Sequence, residues 1–285
     1  MSEARRRHVA ARFSAAAGTY EQQPGVQEAV ACAVADMVSD SQCLHTPSRA
    51  PQVLEIGCGT GYLTEQLCTR FPKAGILAMD LAPGMIVRAR ERLGDQQNVR
   101  WLASDVKDLR LGSTYDLITS SSALHWVDEL GDTLRHLASV LTKEGAMIFS
   151  LMVQGTLREL HELRREVAPH KFALPSLPRK EDVLEDVCAA GLEIVNTRSE
   201  SMGVRHPSAR EFLRTLNRQG VTGQAPDAGC LLSRTELQRL IAAYETQCQC
   251  KDGGVNATYE ILFVHASASR RQRIRSLPRM LVKLS

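Results

Sequence analysis

The chain has no apolar run approaching the roughly 20 residues that a membrane-crossing helix needs, so no membrane span is expected. It shows no secretory signal pattern, no internal repeat and no low-complexity tract before its basic tail. Its eight cysteines, Cys32, Cys43, Cys58, Cys68, Cys188, Cys230, Cys248 and Cys250, contain no C-x-x-C pair. That argues against a zinc site, and Cys248-Gln249-Cys250 reads as a local coincidence. With no export signal the thiols read as reduced, and a cytoplasmic protein without a metal is expected. A strong charge bias is also missing. The formal net charge is +3, which gives no case for a nucleic-acid partner.

What charge there is sits at the ends. Ser269 to Ser285 holds Arg270, Arg271, Arg273, Arg275, Arg279 and Lys283 and no acid. The start holds Arg5, Arg6, Arg7 and Arg12 against Glu3, which leaves the middle mildly acidic. Both ends suit solvated tails. The opening Arg-, Ala- and Ser-rich stretch also suits an organelle transit peptide, for which Glu3 is atypical. The 285 residues, 44% of them hydrophobic, suffice for one large domain or a domain with a subdomain.

The middle alternates strand and helix patterns, which predicts a parallel sheet covered by helices on both faces. Strands are expected at Gln52 to Ile56, Gly75 to Met79, Val99 to Ala103, Tyr115 to Thr119 and Gly145 to Met152. Helices are expected at Tyr62 to Arg70, from Pro83 onward, and at Leu130 to Leu141. Beyond Gly155 the patterns give helices around Leu157 to Val167, Glu181 to Ala190 and Glu211 to Arg218, with a Pro-rich turn at Pro175 to Pro178. A strand is expected at Leu192 to Asn196 and a last one at Thr258 to His265. Between those two, Ser233-Arg234-Thr235-Glu236 has the form of a capping box opening a helix.

The chemistry gathers at three successive strand ends. Glu55-Ile56-Gly57-Cys58-Gly59-Thr60-Gly61 follows the first strand. Its glycines permit a sharp turn and close approach of a ligand, and the helix behind them offers free N–H groups. The dinucleotide fingerprint G-x-G-x-x-G is absent, because position 62 is Tyr. A ligand without pyrophosphate fits better. The amino-acid end of S-adenosylmethionine, with its ammonium and sulfonium, would find negative charge and acceptors here. Asp80 closes the second strand and would meet the ribose hydroxyls in the crevice at the sheet edge. Asp105 lies two residues past the third strand and would accept from the adenine amino group, with Val106 beside the ring. Each acid alone also suits a helix cap; the three together argue for the cofactor.

From Gln52 to Val153 the sequence resembles class I methyltransferases, whose fold is a seven-stranded Rossmann-like α/β sheet, mostly parallel, with an antiparallel last strand. A finer resemblance covers about residues 10 to 267. Arg12-Phe13-Ser14-Ala15-Ala16-Ala17-Gly18-Thr19-Tyr20 with Gln27 is similar to the start of the malonyl-[acyl-carrier protein] O-methyltransferase family of biotin synthesis. So are Ser121-Ser122-Ala123-Leu124-His125-Trp126, Val153-Gln154-Gly155-Thr156-Leu157-Arg158-Glu159-Leu160, Leu232-Ser233-Arg234-Thr235-Glu236-Leu237 and Thr258-Tyr259-Glu260.

The resemblance implies methylation of the free carboxylate of a malonyl thioester on acyl carrier protein, with S-adenosylmethionine as cofactor. A carboxylate is already a nucleophile, so no general base is expected, in keeping with the lack of an obvious catalytic His/Asp pair. The implied cofactor set is Glu55, Gly57, Cys58, Gly59, Thr60, Gly61, Asp80, Leu81, Met85, Asp105, Val106 and Ser121. Phe13, Tyr20, Gln27, His125, Trp126, Thr156, Arg158 and Lys171 are candidates for lid and substrate contacts. The expected organisation is an N-terminal helical lid over 1–50, a cofactor-binding core over 51–153 and a helical insert with strand six over 154–230. A helix and strand seven over 231–267 complete the core, followed by the basic tail, 268–285. Basic residues from Arg158 to Arg218 would steer an acidic carrier, with Arg164 and Arg165 as docking residues, and His161 is a further contact candidate. One arginine should pair with the malonyl carboxylate; which one stays open. A monomer is expected. Three other readings share features: a trans-aconitate-type carboxyl methyltransferase, a relative of the complex I assembly factor that hydroxylates arginine, and a catalytically dead binding module. The intact Glu55, glycines, Asp80 and Asp105 speak against the last.

Overall fold

The structure is a computed structural model and describes residues 3–18, 25–44, 49–109, 114–171, 177–219 and 231–268. Tyr20, much of the Pro-rich turn and the basic tail lie outside them. At the centre runs β1 (Gln52–Ile56), buried from Val53 to Ile56 because both its edges are paired. Such a strand shows a continuous apolar run, not an alternating one. Around it the sheet takes the order β3-β2-β1-β4-β5-β7-β6. Its other strands are β2 (Gly75–Asp80), β3 (Val99–Ala103), β4 (Tyr115–Ser121), β5 (Leu141–Met152), β6 (Leu192–His206) and β7 (Val255–Ala268). The first five are mutually parallel, and β7 runs antiparallel to both its neighbours. Chain order reverses between β1 and β4, which opens a crevice beyond their carboxyl ends.

Helices cover both faces. On one side α2 (Val26–Ser41) and α3 (Tyr62–Arg70) bring Val30, Val34, Val38, Leu63 and Leu67 onto Ile76 and Ile148. On the other, α5 (Leu130–Ser139) and α7 (Lys180–Ala189) bring Leu134, Leu137, Val183 and Val187 onto Met147 and Phe149. Ile148 and Phe149 are adjacent in sequence yet serve opposite faces, as the pleat requires. The remaining helices are α1 (Glu3–Ala16), α4 (Pro83–Leu93), α6 (Arg158–Val167), α8 (Ala209–Arg218) and α9 (Arg234–Gln247). The expected capping box is present: Ser233 Oγ accepts from Glu236 N–H and Glu236 Oε2 accepts from Ser233 N–H.

The fold class agrees with the sequence; several limits do not. Strand β5 starts at Leu141, not Gly145, because Tyr115 pairs with Leu141 before a register shift at Leu117. Helix α5 therefore stops at Ser139. Strand β6 runs to His206, not Asn196. In its second half only Met202 and Val204 alternate as half-buried apolar residues with exposed Gly203 and Arg205, a period too short to stand out; pairing along β7 holds it. It forms the sheet edge, where Glu193, Arg198, Glu200 and Arg205 discourage a further strand.

One polar group fixes the start of the sheet. Asp116 at the base of β4 is buried and accepts from Gln52 N–H at 2.8 Å and from both Arg49 guanidinium nitrogens at 2.8 and 2.5 Å. Asp116→Ala should lower stability by about 2 kcal/mol, read from the urea midpoint. A shift within error would show that water replaces the carboxylate at no cost.

Candidate active site

The turn after β1 is made by three glycines in the left-handed region, Gly57, Gly59 and Gly61, with φ of 67°, 54° and 92°. Each has a further reason to lack a side chain. A Cβ on Gly57 would sit 2.2 Å from Ala123 Cβ, and one on Gly61 would sit 2.8 Å from Leu93 Cδ1. A Cβ on Gly59 would meet nothing within 4 Å, because it faces open cavity. The turn also fixes the next acid. Gly59 N–H donates to Asp80 Oδ2 at 2.9 Å, and Ala82 N–H donates to Oδ1 at 2.8 Å. Asp80 is ringed by protein, and this desolvation raises its carboxyl above the usual range in spite of both amides.

Glu55, two residues before Gly57, is 1% exposed. Thr64 Oγ1 donates to its Oε2 at 2.7 Å. Burial pushes this carboxyl up to about 7, with the Thr64 hydrogen bond opposing and the nearby Asp80 adding to the rise. Asp105 begins the single turn Val106–Asp108, where Oδ1 accepts from Lys107 N–H at 2.9 Å. Its Oδ2 accepts from Arg6 Nη1 at 3.2 Å, so the third acid is tied to α1.

These groups surround one cavity of ≈ 980 Å³ beyond the strand ends. Of the cofactor candidates, Gly61 alone is not in its wall. The buried Thr60 Oγ1 finds no hydrogen-bond partner among the described residues. Phe13, Gln27, His125, Trp126 and Thr156 also line the cavity. Arg158 and Lys171 do not: Arg158 pairs with Glu260 at 2.9 Å and Lys171 with Glu236 at 2.8 Å. Thr156 is spent on structure, exchanging two 3.0 Å hydrogen bonds with the Glu260 backbone.

Helix α1 roofs the cavity. Phe13 meets Trp126 edge-to-face, with centroids 5.1 Å apart. Ser14 Oγ accepts from Gly84 N–H at 3.2 Å, and a Cβ on Gly84 would lie 2.7 Å from Ser14 Cα, so Gly84 is what lets α1 seat on α4. His125 Nδ1 accepts from Met152 N–H at 3.4 Å, which assigns its proton to Nε2. Burial pushes this imidazole down to about 4, so it is neutral at physiological pH.

The comparisons with known proteins agree with this geometry. A family model described as a methyltransferase domain matches residues 54–147. A malonyl-[acyl-carrier protein] O-methyltransferase of Bacillus anthracis is 30% identical over 89% of this chain and 94% of its own length. One from Paenibacillus sp. (strain JDR-2) is 31% identical over 88% and 94%. The chain belongs to the malonyl-[acyl-carrier protein] O-methyltransferase family. Among solved structures, the YcgJ protein of Bacillus subtilis is similar with a TM-score of 0.57 and 15% identity, over 82% of this chain and 96% of that one. At that identity the likeness bears on the fold alone.

Part of the wall comes from α6 and its N-cap: Leu157, Leu160, His161 and Arg164 line the cavity at helical spacing. His161 thus stands where a contact candidate should, whereas Arg164, expected at a docking surface, faces the cavity. Arg164 is thereby set apart from its exposed neighbour Arg165. Arg12 also lines the cavity, as do Asn217, Gln219, Leu231, Leu232 and Tyr259, whose contribution only the fold reveals.

The raised Glu55 carboxyl carries a stability cost with a definite sign. Between the unfolded value of about 4.3 and the folded value of about 7 the native state holds the extra proton. Stability of the protein without ligand should therefore fall as pH rises through this window. The loss should be on the order of 3 kcal/mol and is complete above pH 8. Urea titrations from pH 5 to 9 read it, and Glu55→Gln should flatten the slope. An unchanged slope in that variant would place the titration elsewhere.

Proposed function

We propose that the protein transfers the methyl group of S-adenosylmethionine to the free carboxylate of a malonyl thioester carried by acyl carrier protein, giving the methyl ester that enters biotin synthesis. Support comes from family membership and from one feature of the cavity: it offers partners for both charges of the reaction. The acids Glu55, Asp80 and Asp105 stand at or just past the ends of β1 to β3 and suit a cation, while Arg164 from α6 and Arg12 from α1 suit a carboxylate; Lys107, Asp128 and Glu129 also line the wall.

The cofactor fits what is there. Glu55 and Asp80 offer buried negative charge for its amino-acid end and ribose, Asp105 and Val106 an acceptor and an apolar contact for its adenine, and Thr60 Oγ1 an unused hydrogen-bonding atom. When bound it supplies an electrophilic methyl group on a cationic sulfur. The substrate carboxylate oxygen forms the new O–CH3 bond as the S–CH3 bond breaks, and the electron pair stays on sulfur. No proton moves, so no base is needed. Opposite charges disappear in the step, so a water-poor cavity favours the transition state over the separated ions. Phe13 and Trp126 supply that exclusion, and Arg12 and Arg164 orient the carboxylate. His125 Nε2–H offers a neutral donor that adds no charge.

We read the working form as a cytoplasmic monomer. The exposed arginines of α6 and α8 would steer the acidic carrier, with Arg165 a docking residue.

A methyl-transfer assay with labelled cofactor should favour malonyl-carrier over malonyl-CoA and show no turnover of trans-aconitate or of a protein arginine. A better rate on either of the last two would overturn the substrate. Asp80→Ala should weaken S-adenosylhomocysteine about a hundredfold in calorimetry, as two charged hydrogen bonds are lost; equal binding would remove the cofactor assignment. Arg165→Glu should raise KM for malonyl-carrier, with the effect shrinking as salt shortens the screening length toward roughly 8 Å, and leave cofactor affinity alone. A chain beginning at residue 25 should keep its folded core and lose most turnover. Full activity would show that α1 is not a lid.

A further inference from the structure

Beyond the α8 side of the main cavity lies a smaller one of ≈ 280 Å³. The two share Gln27, Gln219 and Tyr259 in their walls, so they are adjacent with these residues between them. Elsewhere the wall of the smaller one is made by Val26, Val204, Pro207, Thr215 and His206. His206 ends β6, is 4% exposed, and its Nε2 finds no hydrogen-bond partner among the described residues. Its ring rests on Phe212 with centroids 4.9 Å apart, and burial lowers its pKa, so it is neutral. Arg205 also borders the chamber, but its guanidinium donates to the backbone carbonyls of Asp252 and Gly253, at 2.8 Å for the latter.

The chamber thus presents two side-chain amides, a hydroxyl and a neutral imidazole on an apolar backing. Neither an anion nor a cation would find its counter-charge there. An uncharged chain carrying amides and a hydroxyl would find both donors and acceptors. A malonyl thioester poses such a demand. Its carboxylate must reach the cofactor end, so its thioester tail must leave the main cavity in some other direction.

We propose that the side chamber seats the pantetheine arm that links the malonyl thioester to its carrier, with the Gln27 and Gln219 amides and His206 Nε2 as its hydrogen-bond partners. This rests on the substrate class proposed above. The arm is shared by malonyl-carrier and malonyl-CoA and is mostly missing from malonyl-N-acetylcysteamine, which separates it from the rest of the substrate.

Steady-state kinetics on these three substrates test it with His206→Phe, which removes the unpartnered ring nitrogen, and Val204→Trp, which fills the chamber. Both should raise KM about tenfold for malonyl-carrier and malonyl-CoA, with kcat and the KM for the short thioester unchanged. Equal losses on all three substrates, or none on the long two, would overturn the proposal. So would a loss confined to malonyl-carrier, which would belong to protein docking. Free pantetheine gives a readout independent of turnover, because it should shift the His206 ring resonances. That shift without methylation of any malonyl thioester would sink the substrate reading and keep the chamber; no shift in the wild type would sink the chamber.

Discussion

Two carboxylates held out of water govern the site. Glu55 and Asp80 stand at the ends of neighbouring strands, one buried behind the glycine turn and the other clasped by two backbone amides of the same region. Removing a carboxylate from water is costly, and the raised Glu55 carboxyl records that cost, with the neighbouring Asp80 charge adding to it. Nothing in packing requires it, since an apolar pair there would be more stable. The expense makes sense for a ligand that brings positive charge. The glycines, the unpartnered Thr60 hydroxyl and the switch in strand order then fall into place as means of letting that ligand approach.

Legibility in the sequence followed the same physics. The central strands were visible because doubly paired strands are apolar throughout, and Glu55 and Asp80 stood out as acids at the close of such runs. The second half of β6 was not visible, because on an edge strand only Met202 and Val204 mark the inner face while Arg198, Ser199, Glu200, Ser201 and Arg205 surround them. Within the site, local signals placed Gly57, Asp80 and Asp105 but misjudged Arg158 and Lys171. The charges of those two are met by Glu260 and Glu236 away from the cavity. In sequence Arg164 and Arg165 read alike as docking residues, and only the fold separates them, with Arg164 in the cavity wall and Arg165 outside it.

The N-terminal helix joins the two ends of the cavity. Arg6 reaches Asp105 at the cofactor end, Ser14 meets Gly84 at the start of α4, and Phe13 abuts Trp126 over the middle. Each anchor is small. A partly exposed ion pair, one hydrogen bond and one aromatic contact contribute roughly 1 kcal/mol apiece. Ala17, Ala82, Met85 and Phe13 add a small apolar cluster of their own, separate from the two cores on the sheet.

Asp105 sits where these demands meet. Its Oδ1 is fixed by the Lys107 amide, which leaves Oδ2 to Arg6. A ligand donor arriving at Oδ2 must share that oxygen with the guanidinium or displace it. A carboxylate oxygen has two lone pairs, so sharing is geometrically open. Sharing would let the bound cofactor and the closed roof support one another; displacement would set them against one another. The sulfonium chemistry favours the first. Charge neutralisation gains most from a dry cavity, and the cavity is dry only while Phe13 remains on Trp126, which requires α1 to stay seated as the cofactor binds.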